Sequence, residues 1–233
     1  MDTVQRKRDY LGFAFKQSIP VMLGYIFLGI AFGLLLQNAG YSFVWAFLAS
    51  VVIYAGSMQF VLVSLLTAGA GLLYTAVMTL FINGRHIFYG LSFVEKYKKM
   101  GKAYPYMVFS LTDETYSVLC GTKVPEGMDE SKVFFWISLL DQCYWILGSV
   151  IGALAGSYIT FDSTGIDFSM TALFVVIVVE QWQSQRSHFP ALLGAACGIA
   201  WLLVLGPDRF ILPALCSCMV ILLLNRKFLG ISV

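Results

Sequence analysis

Arg85 and His86 follow Asn83 and Gly84 inside an apolar stretch that runs from Tyr41 to Phe93. An arginine carried to bilayer depth costs about 2.5–3.5 kcal/mol or more. Such a group is kept only where it faces a partner, a water-filled cavity or a bound molecule. Guanidinium is the side chain that grips a carboxylate through two parallel hydrogen bonds, and Asn83 sets an amide beside it. Histidine exchanges a proton near neutral pH, which makes His86 a candidate proton carrier. The structural alternatives are an Arg85 that snorkels to an interface and a His86 that only completes a hydrogen bond.

Two other polar groups interrupt apolar sequence. Tyr54-Ala55-Gly56-Ser57-Met58-Gln59 falls at the middle of a hydrophobic run. It reads either as an unwound point, where Gly56, Ser57 and Gln59 meet a polar or zwitterionic ligand, or as a close helix crossing with Gln59 bonded to a neighbour. In Leu111-Thr112-Asp113-Glu114-Thr115-Tyr116, the adjacent carboxyls cannot share one helix face. One would pair with Arg85 while the other faces a cavity and carries a proton, as membrane relays do. The alternative is a helix N-terminus capped by Thr112 and Asp113. Asp141 lies close to the start of the segment Phe134 to Ile159, which gives it an interfacial position and a lesser claim to proton coupling. Glu180-Gln181 and Asp208-Arg209 sit at segment ends, as interfacial anchors do. Trp136, Trp145, Trp182 and Trp201 fit an aromatic belt or core packing.

The elements that must position these groups are membrane helices. The chain of 233 residues is 59% hydrophobic and 12% charged, with mean hydropathy +0.79, which excludes an ordinary soluble domain. Its apolar residues come in long runs rather than in short alternating segments, so an all-α polytopic integral membrane protein is expected and a barrel is not. The length allows about six or seven transmembrane helices in one transmembrane domain, 1–233, with almost nothing outside the bilayer. Residues 1–18 lack the short apolar core and cleavage site of a signal peptide and read as a cytoplasmic lead-in to a first span at Ile19 to Leu36. Residues 94–104, with Lys96, Lys98, Lys99 and Lys102, read as a basic cytoplasmic loop. That cluster falls on the inside only if Tyr41 to Phe93 makes one net crossing plus a broken or re-entrant pair. The Asp113 segment must then also dip in and return. The acidic loop Phe161 to Asp167 falls outside, Arg186 and the tail Asn225-Arg226-Lys227 fall inside, and six full crossings result.

Glycines recur at four-residue spacing as Gly29/Gly33, Gly148/Gly152/Gly156 and Gly194/Gly198, each a smooth stripe that lets helix backbones approach. Cys120, Cys143, Cys197, Cys216 and Cys218 show no metal-ligand spacing and read as small buried apolar residues. No metal, nucleotide or other cofactor motif is present, and nothing points to nucleic acid.

Four motifs occur in an order that resembles the AzlC family: Pro20…Gly29…Gly33 in the first helix, Ala55-Gly56-Ser57-Met58-Gln59-Phe60, Asn83-Gly84-Arg85-His86 and Thr112-Asp113-Glu114-Thr115-Tyr116. The resemblance is densest from Phe13 to Gly121. The family pattern often carries an apolar residue where this chain has Gly84, which loosens the local backbone but leaves the polar groups in place. The resemblance implies the large permease subunit of an exporter for branched-chain amino acids and analogues such as azaleucine, working in the bacterial inner membrane with a small AzlD-type membrane subunit. A compatible division of labour gives the substrate carboxylate to Arg85, its ammonium to Asp113 or Glu114, and proton coupling to a carboxyl or His86. A channel or transporter for another solute, an intramembrane protease using Asp113 and Asp141, and a structural subunit are the competing readings.

Overall fold

A computed structural model describes residues 3–158, 187–206 and 210–224, with isolated positions at 168, 172, 175, 178–179 and 182–183. Outside this description lie the side chains of 3–8, 85, 87–89, 211, 212 and 223. The loop 161–167, Glu180-Gln181, Arg186, Asp208-Arg209 and the basic tail also fall outside it.

The described residues are helical, with no strand among them. They fall into two compact units, Met1–Met170 and Thr171–Val233. The first contains α1 (Thr3–Asn38), α2 (Phe43–Val52), α3 (Gly56–Thr67), α4 (Leu72–Asn83), α5 (Arg85–Lys98), α6 (Tyr104–Phe109), α7 (Asp113–Gly121) and α8 (Glu130–Tyr158). The second contains α9 (Phe189–Leu205) and α10 (Ile211–Leu224), which pack on each other and are tied by a Trp201 Nε1–H bond to Ser217 Oγ at 2.9 Å.

Among the described residues two helices, Asp9–Asn38 within α1 and α8, are long and apolar enough to cross a membrane. In α1 the lead-in before Ile19 is helical from Thr3 and continuous with the span. Nothing between Thr3 and Pro20 breaks a helix, and Ala14 is fully buried against Phe93, Tyr97, Met107 and Val133. α8 likewise begins earlier than the apolar run. Asp129 takes the Ser131 N–H on its side chain at 3.0 Å, an N-cap that starts the helix four residues before Phe134.

α1 and α8 pack along much of their lengths, and α2 lies against α8. The contact is set by glycine. A Cβ on Gly29 would sit 3.0 Å from the Trp145 carbonyl oxygen, and one on Gly148 would sit 2.7 Å from that of Ile26. On Gly33 it would collide with the Ser149 carbonyl, and on Gly152 with that of Ile30. Two of the expected stripes therefore face each other and bring backbone onto backbone. The third does not: a Cβ on Gly194 would meet only Cys218 Sγ, at 4.0 Å, and one on Gly198 would meet nothing within 4 Å.

The outward faces are apolar. Phe27 is 69% exposed and Leu72 is 90% exposed, which suits hydrocarbon rather than water. The cysteines follow the same logic against expectation. Only Cys197 is buried, while Cys120, Cys143 and Cys216 face outward and Cys218 is half-buried; a thiol is apolar enough to face lipid as readily as protein.

Neither α2, with 10 residues, nor α3, with 12, could span a bilayer alone, since a crossing needs about 20. They are joined through a break at Ile53–Ala55. α3 and α4 form a helical hairpin across Ala68–Gly71, where Gly69 ends α3 at φ +61°. α4 and α5 meet at Gly84, whose backbone stays helical (φ −54°, ψ −29°). A Cβ there would press on the Leu80 carbonyl at 2.8 Å, so glycine permits the tight joint. A second break, Ser110–Thr112, separates α6 from α7.

Candidate functional site

The first break is held by two glutamines. Ending α2 leaves carbonyls unpaired and starting α3 leaves N–H groups unpaired, and inside a membrane each must find a partner. Gln142 of α8 donates from Nε2 to the Val51 carbonyl at 3.3 Å and accepts the Tyr106 hydroxyl on Oε1 at 2.9 Å. Gln59 Oε1 accepts the Ala55 N–H at 3.2 Å and Trp145 Nε1–H at 2.9 Å, while its Nε2 donates to Ser50 Oγ at 3.4 Å. Gln59 is wholly buried. Both readings of its motif are therefore partly realised: the chain does unwind there, and Gln59 does bond across to a neighbouring helix. The unwound residue proper is Tyr54, at φ +42°, the one non-glycine residue with positive φ among those described. Holding it there costs on the order of 1–2 kcal/mol. Gly56 lies under the Trp145 indole, which a Cβ would approach to 3.2 Å, and Ser57 is buried beside it in the first turn of α3.

The second break supplies the hydroxyls. Thr112 ends it by accepting the Thr115 N–H on Oγ1 at 3.3 Å, so α7 is capped as its sequence allows. Asp113 and Glu114 then occupy the first helical turn and diverge. Glu114 Oε2 takes the hydroxyl of Tyr25 at 2.8 Å. That hydroxyl also lies 2.6 Å from Thr112 Oγ1. Thr115, one turn from the cap, donates to Asp141 Oδ2 at 2.8 Å.

Asp141 corrects the expectation of an interfacial site. Because α8 starts at Glu130, Asp141 lies about 16 Å down the helix and is 0% exposed. Its other oxygen, Oδ1, has no hydrogen-bond partner. The hydrogen bond to Asp141 comes from Thr115.

Around this polar centre stands an aromatic wall. Tyr25 meets Trp145 edge-on at 5.3 Å and Tyr54 at 6.5 Å, Tyr54 lies 6.2 Å from Phe109, and Phe32 stacks on Trp145 at 6.2 Å. Asn83, Gly84 and His86 are half-buried at the α4–α5 joint, where His86 Nδ1 lies 3.0 Å from the Asn83 carbonyl. Arg85 opens α5; its side chain is outside the described set. Among the described residues no three His, Cys, Asp or Glu side chains gather as metal ligands.

The structure thus brings Gln59, Glu114 and Asp141 into the region where α1 and α8 meet the two breaks. It adds Tyr25, Tyr54, Thr112, Thr115, Gln142 and Trp145, which sequence reasoning did not select. Two signals were available: Tyr25 is a phenol inside a long apolar span, and Thr115 stands three residues after a threonine cap.

The model of the AzlC protein family matches residues 20–159, a stretch that contains every residue of this polar centre. The branched-chain amino acid transport protein AzlC of Bacillus subtilis is 37% identical over 231 residues, covering 97% of this chain and 91% of that protein. A membrane protein of Helicobacter pylori strain J99 is 39% identical, covering 92% of this chain and 94% of its own length. The inner membrane protein YgaZ of Escherichia coli is 28% identical, covering 89% of this chain and 88% of its own length. No solved structure matches. Relatives named as membrane proteins agree with the apolar, helical architecture, and the chain belongs to the AzlC family of membrane transport proteins.

Proposed function

We propose that this protein is the large subunit of a bacterial inner-membrane exporter for leucine, isoleucine, valine and analogues such as azaleucine, coupled to the proton gradient and working with a small AzlD-type membrane subunit. The observation that carries the reading is the buried chain of hydroxyls and carboxyls, Tyr25, Thr112, Thr115, Glu114 and Asp141, set where two helix breaks meet α1 and α8. Polar groups are kept at membrane depth for transport or proton movement, and unwound helices commonly form transporter sites. The Bacillus subtilis relative, a branched-chain amino acid transport protein, supports the choice of substrate.

In this reading Arg85, with Asn83, takes the substrate carboxylate, helped by N–H groups of Gly56 and Ser57 at the start of α3. Asp113 or Glu114 takes the ammonium, and the aromatic wall receives the branched side chain. Glu114 and Asp141, with His86 as a second carrier, handle the proton. Gln59 holds the break open rather than touching substrate, since its carbonyl oxygen already accepts two hydrogen bonds. The single permease domain would cross six times with both ends cytoplasmic.

The test is reconstitution into proteoliposomes with and without the small subunit, following labelled leucine under an imposed pH gradient. Gradient-driven movement of leucine, isoleucine and valine is expected, with Arg85→Ala raising KM for leucine at least tenfold. Leucine transport that ignores the gradient, or none with the small subunit present, refutes the reading.

A further inference from the structure

Two side-chain oxygens of α8, Asp141 Oδ1 and Ser138 Oγ, are buried without a hydrogen-bond partner. Both residues are 0% exposed, and side chains three positions apart are neighbours on a helix surface. A helical serine ordinarily returns its hydroxyl to the turn behind it. Ser18, Ser149 and Ser217 do so, donating to the carbonyls of Phe15, Trp145 and Pro213 at 3.2, 2.7 and 2.7 Å. Ser138 does not, although its own helix offers carbonyls of the same kind. Asp141 uses one oxygen only, accepting the Thr115 hydroxyl on Oδ2 at 2.8 Å. Buried polar atoms in a native fold almost always have partners, and an exception points to a bound water or ion.

Asp141 also lacks a compensating charge. The titratable groups that face it are Glu114, Tyr25, Tyr54, Tyr106 and Tyr144. None of these becomes positive in any protonation state. A carboxylate is kept out of water only with a cation, a proton or a dense set of hydrogen bonds. A proton on Oδ2, directed at Thr115, would neutralise the carboxyl but leave Oδ1 and Ser138 Oγ as they stand. A cation on Oδ1 and Oγ answers the charge and both oxygens together.

We infer that Asp141 Oδ1 and Ser138 Oγ together ligate a sodium ion. Hard oxygen donors carrying a single negative charge suit a monovalent alkali cation, whereas divalent ions draw several carboxylates. Neither residue is open to a water-sized sphere, which favours dehydrated Na+ over the larger K+. The surrounding groups are further oxygens. The Tyr106 hydroxyl lies 3.5 Å from the Ser138 carbonyl, and Ser110, 0% exposed just beyond the end of α6, is within hydrogen-bond reach of that hydroxyl. Half-helix C-termini and unwound carbonyls are what coordinate Na+ in broken-helix transporters, and α6 ends here at the second break. The ion goes beyond the exporter reading and needs neither substrate nor small subunit. Asp141 holds the ion or a proton, not both, so the ion-bound form is a second state of a carboxyl that the proposed coupling uses.

The test compares thermal melts of the detergent-purified full chain in NaCl, KCl and choline chloride at equal ionic strength and pH. With Na+ at about 100 times its dissociation constant, Tm should rise by roughly 5–10 °C over the value in KCl or choline chloride. Asp141→Asn and Ser138→Ala should each lose most of that increment, while Glu95→Gln, on the exposed basic segment, should keep it. Equal melting in NaCl and KCl, an increment undiminished in either site variant, or one lost in Glu95→Gln as well overturns the inference. Should Asp141→Asn fail to fold, Ser138→Ala decides, together with equilibrium binding of radioactive Na+ to the wild-type chain. Saturable binding that K+ does not displace is expected there, and its absence overturns the site. Because neither readout involves transport, a melt indifferent to Na+ would leave the exporter reading standing, and a failed export assay would leave the ion site standing.

Discussion

Gly152→Ala and Gly198→Ala add the same methyl group to the same kind of glycine repeat, and they are expected to change stability in opposite directions. In a helix interior alanine is favoured over glycine by about 0.8–1 kcal/mol, so an unobstructed methyl stabilises. Gly198 has nothing within 4 Å of the added carbon, and its substitution should realise most of that gain. At Gly152 the carbon lands on the Ile30 carbonyl, a backbone atom that cannot rotate aside. The α1 and α8 axes must separate locally, breaking close contacts at Gly29, Gly33 and Gly148 together. Overpacking a tight core costs roughly 1–3 kcal/mol and occasionally more. Set against the helix gain, a backbone clash in the upper part of that range leaves Gly152→Ala destabilising by about 1–2 kcal/mol. For a chain of this size 1 kcal/mol moves Tm by about 2–4 °C, so the two variants should separate by roughly 4–12 °C in thermal melts of the detergent-purified protein. Gly33→Ala, which meets Ser149, should follow Gly152→Ala. Equal melting temperatures for Gly33→Ala, Gly152→Ala and Gly198→Ala would refute the claim that backbone contact between α1 and α8 sets the first unit's packing.

Gln59→Leu should leave the Ala55 N–H and the Trp145 indole N–H buried without acceptors, at about 1–3 kcal/mol each; a denaturant midpoint indistinguishable from wild type would show that the break has another support. Gln142→Leu strands the Val51 carbonyl and the Tyr106 hydroxyl in the same way, and the double variant should lose less than the sum, because both residues hold one feature; strict additivity would separate them. On the basic segment Lys98 Nζ donates to Glu95 at 2.8 Å, and this bond together with the ammonium charge holds the Glu95 carboxyl below the usual carboxylate range. With the folded pKa depressed, the pair's contribution is present above the unfolded value and lost as pH falls through the folded one. The NMR titration midpoint of Glu95 should rise in Lys98→Ala, and an unchanged midpoint would deny the contact in solution.

Residue type and order alone determined the class of this protein. Long apolar runs can satisfy their backbone in lipid only as helices, so an all-helical membrane chain followed from composition. Interruptions follow as directly, because Ala55-Gly56-Ser57, Gly84 and the Thr112-Asp113 pair are poor continuations of an apolar helix, and breaks or joints are found at all three. Four motifs in order carried the family resemblance, and the family match agrees with it.

What the linear chain left open is which polar groups meet. Hydrophobicity marks where an apolar run begins but not where a cap starts the helix, so Asp129 moved Asp141 from a supposed interface to a buried position. A glycine stripe looks the same whether it faces a backbone or open space, and only packing separated Gly152 from Gly198. Tyr25 and Asp141 are separated by more than a hundred residues and reach each other only through Thr112 and Thr115. That juxtaposition depends on α1 and α8 closing to glycine contact while α7 is capped between them. A buried line of three hydroxyls between two carboxyls is a property of that closure, fixed by tertiary distances that no spacing along the chain encodes.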